Sequence, residues 1–288
     1  MAEAPGHRLG QIVGEMLETA VYPLLRDFAS SRSIYLDHQG PRTARPGNKV
    51  TWTDGFGNAH DLDFVLERGG SDERIGVPVA FIESAWRRYT KHSRNKAQEI
   101  QGALLPLRER YRQYSPVLVA LLAGRFTSGS LNQLRSNGFV VVFIPEAHVV
   151  QCFARVGIDI AAGENTPDPV LAEQVAKFER LTPEEREAVG AGIREADAKA
   201  FDQLIGRLAE TVTRRVESII LLPLHGSSKA FSRIQDAIEA VRSYGRADVA
   251  GPFVRFDITI RYTNGDSIVA SFSETGDALS FLGSFDPV

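Results

Sequence analysis

Three short apolar runs, set between stretches of helical period, constrain this chain more than any other feature. Val77–Glu83 is apolar until it reaches a carboxylate, Val117–Ala123 is apolar throughout, and Phe139–Ile144 repeats that composition. Continuous runs of this length suit strands buried on both faces. Ser93–Tyr111 carries Ala97, Ile100, Leu104, Leu105 and Leu107 in a helical pattern, and Gly129–Asn137 and Ala147–Ile158 also read as helices. Upstream, Gln11–Phe28 is a further helix, and Ser30–Asn48 is a polar stretch rich in Gly, Pro and Arg. Lys49–Thr53 and His60–Glu67 alternate on either side of Asp54-Gly55-Phe56-Gly57-Asn58, the signature of a hairpin. The order is helix, hairpin, strand, helix, strand, helix, strand, helix. It predicts an α/β (α+β) fold, a mixed central sheet flanked by helices.

Glu164–Pro169 punctuates the chain. Beyond it Val170–Arg215 is helical, with Thr182-Pro183-Glu184-Glu185 as a helix start. Glu217–Leu224 reads as a strand and Ser228–Tyr244 as a helix. A hairpin, Phe253–Tyr262 and Ser267–Phe272, closes at Asn264-Gly265, and a last helix spans Glu274–Phe285. The expected organisation is a core over 1–163, a helical segment over 164–215 and a small α+β unit over 216–288. A single cysteine, Cys152, excludes an internal disulfide and a zinc site of four thiolates. No apolar run approaches the roughly 18 residues of a membrane span, and Met1–Gly10 has no apolar signal core, so a cytoplasmic protein with no membrane partner is expected.

The net charge of −3 argues against a protein that coats nucleic acid with its whole surface. The charge is unevenly spread, however. Trp86–Arg155 holds eleven Arg or Lys against three acidic residues, Glu99, Glu109 and Glu146. Just before this region, Asp61 and Asp63 lie two apart on a predicted strand and so face one side, and Glu83 ends the neighbouring apolar strand. Adjacent strand ends would bring Asp63 and Glu83 to one cation, and carboxylate oxygens suit a hard ion such as Mg²⁺. Trp86–Lys96 follows at once, with five Arg or Lys, one His and no acid. A metal held by carboxylates beside dense positive charge is the equipment for phosphodiester hydrolysis. Arg87, Arg88, Lys91, Arg94 and Lys96 would grip flanking phosphates.

This arrangement resembles the PD-(D/E)XK nuclease superfamily, to which most type II restriction endonucleases and many repair nucleases belong. Asp63, the apolar strand ending at Glu83, and the following helix and strands fit that family's order over roughly Gly10 to Ile160. The resemblance implies a restriction-endonuclease-like core, with Asp63, Glu83 and the Ser84 carbonyl as Mg²⁺ ligands. The family's lysine position is Ala85 here. Some members move that lysine to the next helix, which makes Lys91 and Lys96 the candidates, Lys96 preferred for its place in the first helical turn. Gln98 and Gln101 would line the cleft, and Glu15 or Glu18 would add a carboxylate from the first helix.

The resemblance therefore implies a Mg²⁺-dependent endonuclease of double-stranded DNA, of restriction type and homodimeric. A structure-specific repair nuclease or junction resolvase is one alternative; a catalytically inactive DNA-binding fold, suggested by Ala85, is another. Each feature also has an ordinary explanation. Asp-x-Asp fits a solvated hairpin face, Glu83 a salt bridge to Arg87 or Arg88, and the basic run a solvated loop. His60 and His92 flank the proposed site but read as incidental. Arg255 and Arg261 share the polar face of the C-terminal hairpin, which would contact DNA, form a dimer or simply be solvated.

Overall fold

The computed structural model describes residues 4–90, 93–161, 166–224, 226–244, 253–283 and 285. The fold is mixed α/β, with two compact units, Met1–Leu208 and Ala209–Val288.

The first unit opens with α1 (Pro5–Ser30), which buries Leu9, Ile12, Val13, Met16, Leu17, Ala20, Val21 and Leu25 at helical spacing. Strands β1 (Ile34–His38), β4 (Phe64–Arg68), β5 (Val77–Arg87), β6 (Val117–Gly124) and β7 (Phe139–Pro145) form a five-stranded sheet in the order β1-β4-β5-β6-β7. The first three strands pair antiparallel, while β5, β6 and β7 are parallel. A separate two-stranded ribbon, β2 (Val50–Thr53) with β3 (Ala59–Leu62), leads into β4. Helix α1 packs on β1 and β5, with α4 (Glu146–Ala154) beside it over β6 and β7. The other face is covered by α2 (Ser93–Arg110) and α3 (Ser128–Ser136).

Four differences from the sequence reading have physical causes. The polar stretch Ser30–Asn48 contains β1, whose alternation of Ile34 and Leu36 is masked by charged neighbours. Its charges are buried in partnership. The Arg42 guanidinium donates to Asp37 at 2.7 Å and to both oxygens of Glu67 at 2.6 and 2.9 Å, while Arg45 donates to Asp37 from Nη2 at 3.0 Å. The expected second hairpin arm is not one strand. It breaks at Asp63, so β3 belongs to the ribbon and β4 to the main sheet. The strand expected to stop at Glu83 continues to Arg87, because parallel pairing with β6 runs on from Ala80 to Arg87. The long helical stretch resolves into α5 (Asp168–Glu179), α6 (Pro183–Ala196) and α7 (Ala198–Thr213). A capping box at Thr182 and Glu185 starts α6.

Helices α5 and α6 lie against α1, and the division between the two units falls inside α7. Cys152, on the buried side of α4, faces α6 closely enough that a Cβ on Gly192 would sit 3.1 Å from its Sγ.

The second unit is a four-stranded antiparallel sheet, β11-β10-β8-β9, built from β8 (Val216–Pro223), β9 (Lys229–Phe231), β10 (Phe256–Tyr262) and β11 (Ser267–Phe272). Phe256, Ile258, Ile260 and Tyr262 point inward against α8 (Ile234–Arg242) and α9 (Thr275–Gly283), as their alternation predicts. The helix expected from Ser228 begins six residues later, because Lys229–Phe231 pairs with β8. Gly265, at φ +86°, closes the β10–β11 turn.

Candidate functional site

Asp63 lies at the bend between β3 and β4. Continuing the β4–β5 register one step beyond Phe64↔Ile82 sets it beside Glu83. The Ser84 backbone N–H and Oγ both donate to Asp63 Oδ2, at 2.6 and 2.7 Å. That clamp fixes one carboxylate oxygen. Burial raises the Asp63 pKa, the bonds from Ser84 oppose the rise, and the charge of Lys96 opposes it further.

Along β5, Glu83 shares a face with Phe81 and Ala85, which pack into the core cluster that holds Ala97 and Ile100 of α2. Half-buried, its carboxyl is pushed up to about 8, first by desolvation and then by Asp63, with Lys96 acting the other way and Glu18 and Asp61 adding to the rise. Glu18 on α1 is likewise pushed up to about 8 by burial, then by Asp63 and Glu15. Carboxylates from three elements thus repel one another in a partly desolvated place, with Lys96 as the cation that bears on Asp63 and Glu83. Lys96 itself lies 3.6 Å from Glu99, which also approaches Arg87 at 3.5 Å.

These groups border a cleft of about 940 Å³ between α1, β5, the start of α2 and the start of α5. Glu15, Glu18, Asp63, Ser84, Arg87, Arg88 and Lys96 line it, whereas Glu83 and Arg94 do not. A smaller hollow of about 370 Å³, lined by Tyr22, His38 and Phe64, lies on the other side of Glu18. Five carboxylates line the larger cleft (Glu15, Glu18, Asp63, Glu99 and Asp168) against three cations, Arg87, Arg88 and Lys96.

Asp63, Glu83 and Lys96 are therefore brought together, with Ser84 holding Asp63. Several other expectations are corrected. Asp61 does not line the cleft; it is exposed on β3, bound by Lys49 at 2.6 Å and Thr51 at 2.6 Å. His60 is not at the site, its Nε2 lying 3.1 Å from Asp54 in the ribbon turn. Gln101 is occupied with α3, accepting from Gln133 at 3.3 Å, and Gln98 is exposed outside the cleft. Lys91 and His92 lie outside the described residues.

No group of three His, Cys, Asp or Glu among the described residues is arranged to hold a metal ion. Two carboxylates with water and a backbone oxygen are nonetheless an ordinary Mg²⁺ ligand set, since this ion keeps several waters. The mutual repulsion of Glu18, Asp63 and Glu83 suits a cation, and Asp63 Oδ1 is not held by the Ser84 clamp.

One feature that escaped the sequence reading is a row of glycines on α1, Gly6, Gly10 and Gly14, which lines the cleft and, four residues on, reaches Glu18. Its i, i+4 spacing was legible, but in sequence it looks like ordinary helix composition. Trp86, at the head of the basic run, also lines the cleft. Gly124, at φ +102°, ends β6 so close to it that an added Cβ would collide with the Arg87 carbonyl and meet the Trp86 ring at 2.9 Å.

No family model and no curated protein matches the chain. Among solved structures it is similar to the crystal structure of AF1548, a protein of unknown function, at 11% identity and a TM-score of 0.30. That similarity covers 68% of this chain and 97% of the other.

Proposed function

We propose that this protein is a Mg²⁺-dependent DNA endonuclease of the PD-(D/E)XK kind, with Asp63 and Glu83 as metal ligands and Lys96 as the lysine displaced from Ala85. The observation that carries this reading is the convergence of Asp63, Glu83 and Lys96 from three elements into one electrostatically coupled group. Ala85, two residues beyond Glu83 on the same side of β5, is buried and packs into the core. Ala85 also lines the cleft, and Lys96, in the first turn of α2, lines the same cleft, where it would supply the ammonium that Ala85 lacks.

A divalent cation bound by these carboxylates would lower the pKa of a water and neutralise charge on the scissile phosphate. Ser84 keeps the Asp63 carboxylate in one orientation. Lys96 holds positive charge beside both acids, where it would orient the attacking water or stabilise the pentavalent phosphorus. The Ser84 carbonyl is proposed as a further ligand, with Lys91 as a second lysine candidate. Arg87 and Arg88, on the cleft wall, would hold flanking phosphates, and Arg94 would do so from outside it. Restriction-type cleavage of duplex DNA by a homodimer is one form of this activity. Cleavage at a flap or junction is another.

The test is digestion of plasmid, branched and single-stranded DNA with Mg²⁺ or EDTA, comparing wild type with Glu83→Ala. Products that need Mg²⁺ and vanish in the variant support the nuclease. DNA binding with no cleavage under any condition would leave only an inactive DNA-binding fold.

A further inference from the structure

The turn that joins β2 to β3 presents one phenylalanine to solvent. Phe56 is 91% exposed; the next most exposed large hydrophobic side chain among the described residues, Val269, reaches 62%. Gly55 and Gly57 flank it, and a Cβ added at either would meet nothing within 4 Å, so the ring stands alone at the tip. The turn beneath it is firmly held. Asp54, 2% exposed, accepts from the backbone N–H groups of Phe56 and Asn58 at 2.8 and 2.9 Å, and from Asn58 Nδ2 at 3.0 Å. Arg110, at the end of α2, donates to the Asp54 carbonyl at 3.2 Å. Lower in the ribbon, buried Trp52 meets Phe81 and Tyr111 edge to face, with ring centroids 5.3 and 5.2 Å away, which ties the ribbon to β5 and to the residue after α2.

A ring so exposed contributes nothing to the fold, yet the bonds to Asp54 hold its backbone in one conformation. Such preorganisation removes part of the ordering cost of a contact. The size of the exposed surface selects the partner. A stable protein interface needs about 800 Å² from each side. One phenylalanine supplies about 150–250 Å², and its glycine neighbours add no side chain. A single apolar side chain is instead sufficient to open a base step when it is driven between two base pairs. The turn also shows DNA no exposed acid, because Asp54 is buried and bonded. Arg110 brings positive charge to its base, and Arg112 follows, paired with Glu109 at 2.9 Å.

We propose that Phe56 is a wedge that enters the stack of duplex DNA between two neighbouring base pairs. This assignment rests on the nuclease reading above and adds to it a DNA contact outside the cleft. Phe56 and Asp63 are joined by the ribbon strand β3, and the chain between them spans at most about 24 Å. At about 3.4 Å per base step, that places the ring within about seven steps of the candidate metal site. With no side chain on Gly55 or Gly57, the base pairs on either side can close on the ring without meeting other atoms of the tip. Stacking on a ring face tolerates any base. The wedge therefore selects steps by how readily they open, pyrimidine–purine steps and mismatches before stiff ones.

The experiment measures fluorescence anisotropy of a labelled, fully paired duplex and of the same duplex with one central mismatch. Ca²⁺ replaces Mg²⁺ so that binding is read without cutting. Wild type should bind the mismatched duplex more tightly, because its stack opens at lower cost. Phe56→Ala should weaken binding of the mismatched duplex about ten-fold and erase the preference. Its thermal midpoint should not move, since the ring packs on nothing. Phe56→Trp should keep the preference, and the emission of its added indole should be quenched when either duplex binds. Equal binding of the two duplexes by wild type, or a Phe56→Ala variant that binds like wild type, would overturn the wedge. Mg²⁺-dependent cutting of DNA in that case leaves the nuclease reading standing. A mismatch preference that Phe56→Ala loses, with no cleavage by wild type in Mg²⁺, supports the wedge and removes the nuclease. No binding of either duplex removes the wedge, whatever the digestion shows.

Discussion

Glu83 and Glu18 make the site sensitive to pH in a definite direction. Their carboxyls ionise near 8 in the folded protein and near 4.5 when solvated, so between those values the folded state retains protons that the unfolded chain has lost. Metal-free protein should therefore lose stability as pH rises from about 4.5 to about 8 and change little beyond, as far as these groups decide it. Thermal unfolding followed across that range checks this, and Glu83→Gln should flatten the slope. The same repulsion makes Mg²⁺ stabilising, most strongly at pH 8, where the ion replaces protons. At a hundred times its dissociation constant it would add about 2.7 kcal/mol, which a thermal shift measured with and without EDTA would reveal. Glu83→Gln should lose most of that gain. The acids themselves were legible in sequence, Glu83 from its place at the end of a wholly apolar run. A carboxylate from α1, Glu15 or Glu18, was expected only through the family resemblance, because α1 lies far from Asp63 and Glu83 along the chain and only packing of α1 on β5 brings its fourth turn to them.

At the scale of elements, buried parallel strands and amphipathic helices were readable because a long apolar run or a steady helical period has one solution. Elements defined by partnership were not. β1 hides in a polar stretch because Asp37 and Glu67 are buried only with Arg42 and Arg45, a pairing that no local pattern announces. The bend at Asp63 interrupts an otherwise perfect alternation, and nothing in residues 60–67 alone marks it. Arg42 also donates to the Ser71 and Arg74 carbonyls, so one guanidinium ties the loop after β1 to the loop before β5. Arg42→Ala would leave Asp37 and Glu67 buried with their charge only partly compensated. It should cost about 3–5 kcal/mol, read as a shift of the urea midpoint. On the proposed nuclease reading, cleavage should weaken with stability in that variant.

Across the whole molecule, acid slightly exceeds base, and the cleft repeats that balance with five carboxylates against three cations. On the proposed nuclease reading, DNA affinity should therefore require a divalent cation, falling sharply in EDTA. Its dependence on monovalent salt should be modest, with log K against log salt no steeper than about −4.5, since Arg87, Arg88, Lys91, Arg94 and Lys96 together displace few counterions. Anisotropy titrations at several salt concentrations check both. Among the described residues no helix is long and apolar enough to cross a membrane. The lone thiol of Cys152, wedged between α4 and α6 and made less acidic by burial, equips the chain with a built-in clock. A thiol reagent can reach it only when those two helices part. Its labelling rate thus counts the opening events of the first unit in native solvent, with no dye or engineered site. If DNA and Mg²⁺ tighten α1 against its neighbours, that clock will slow.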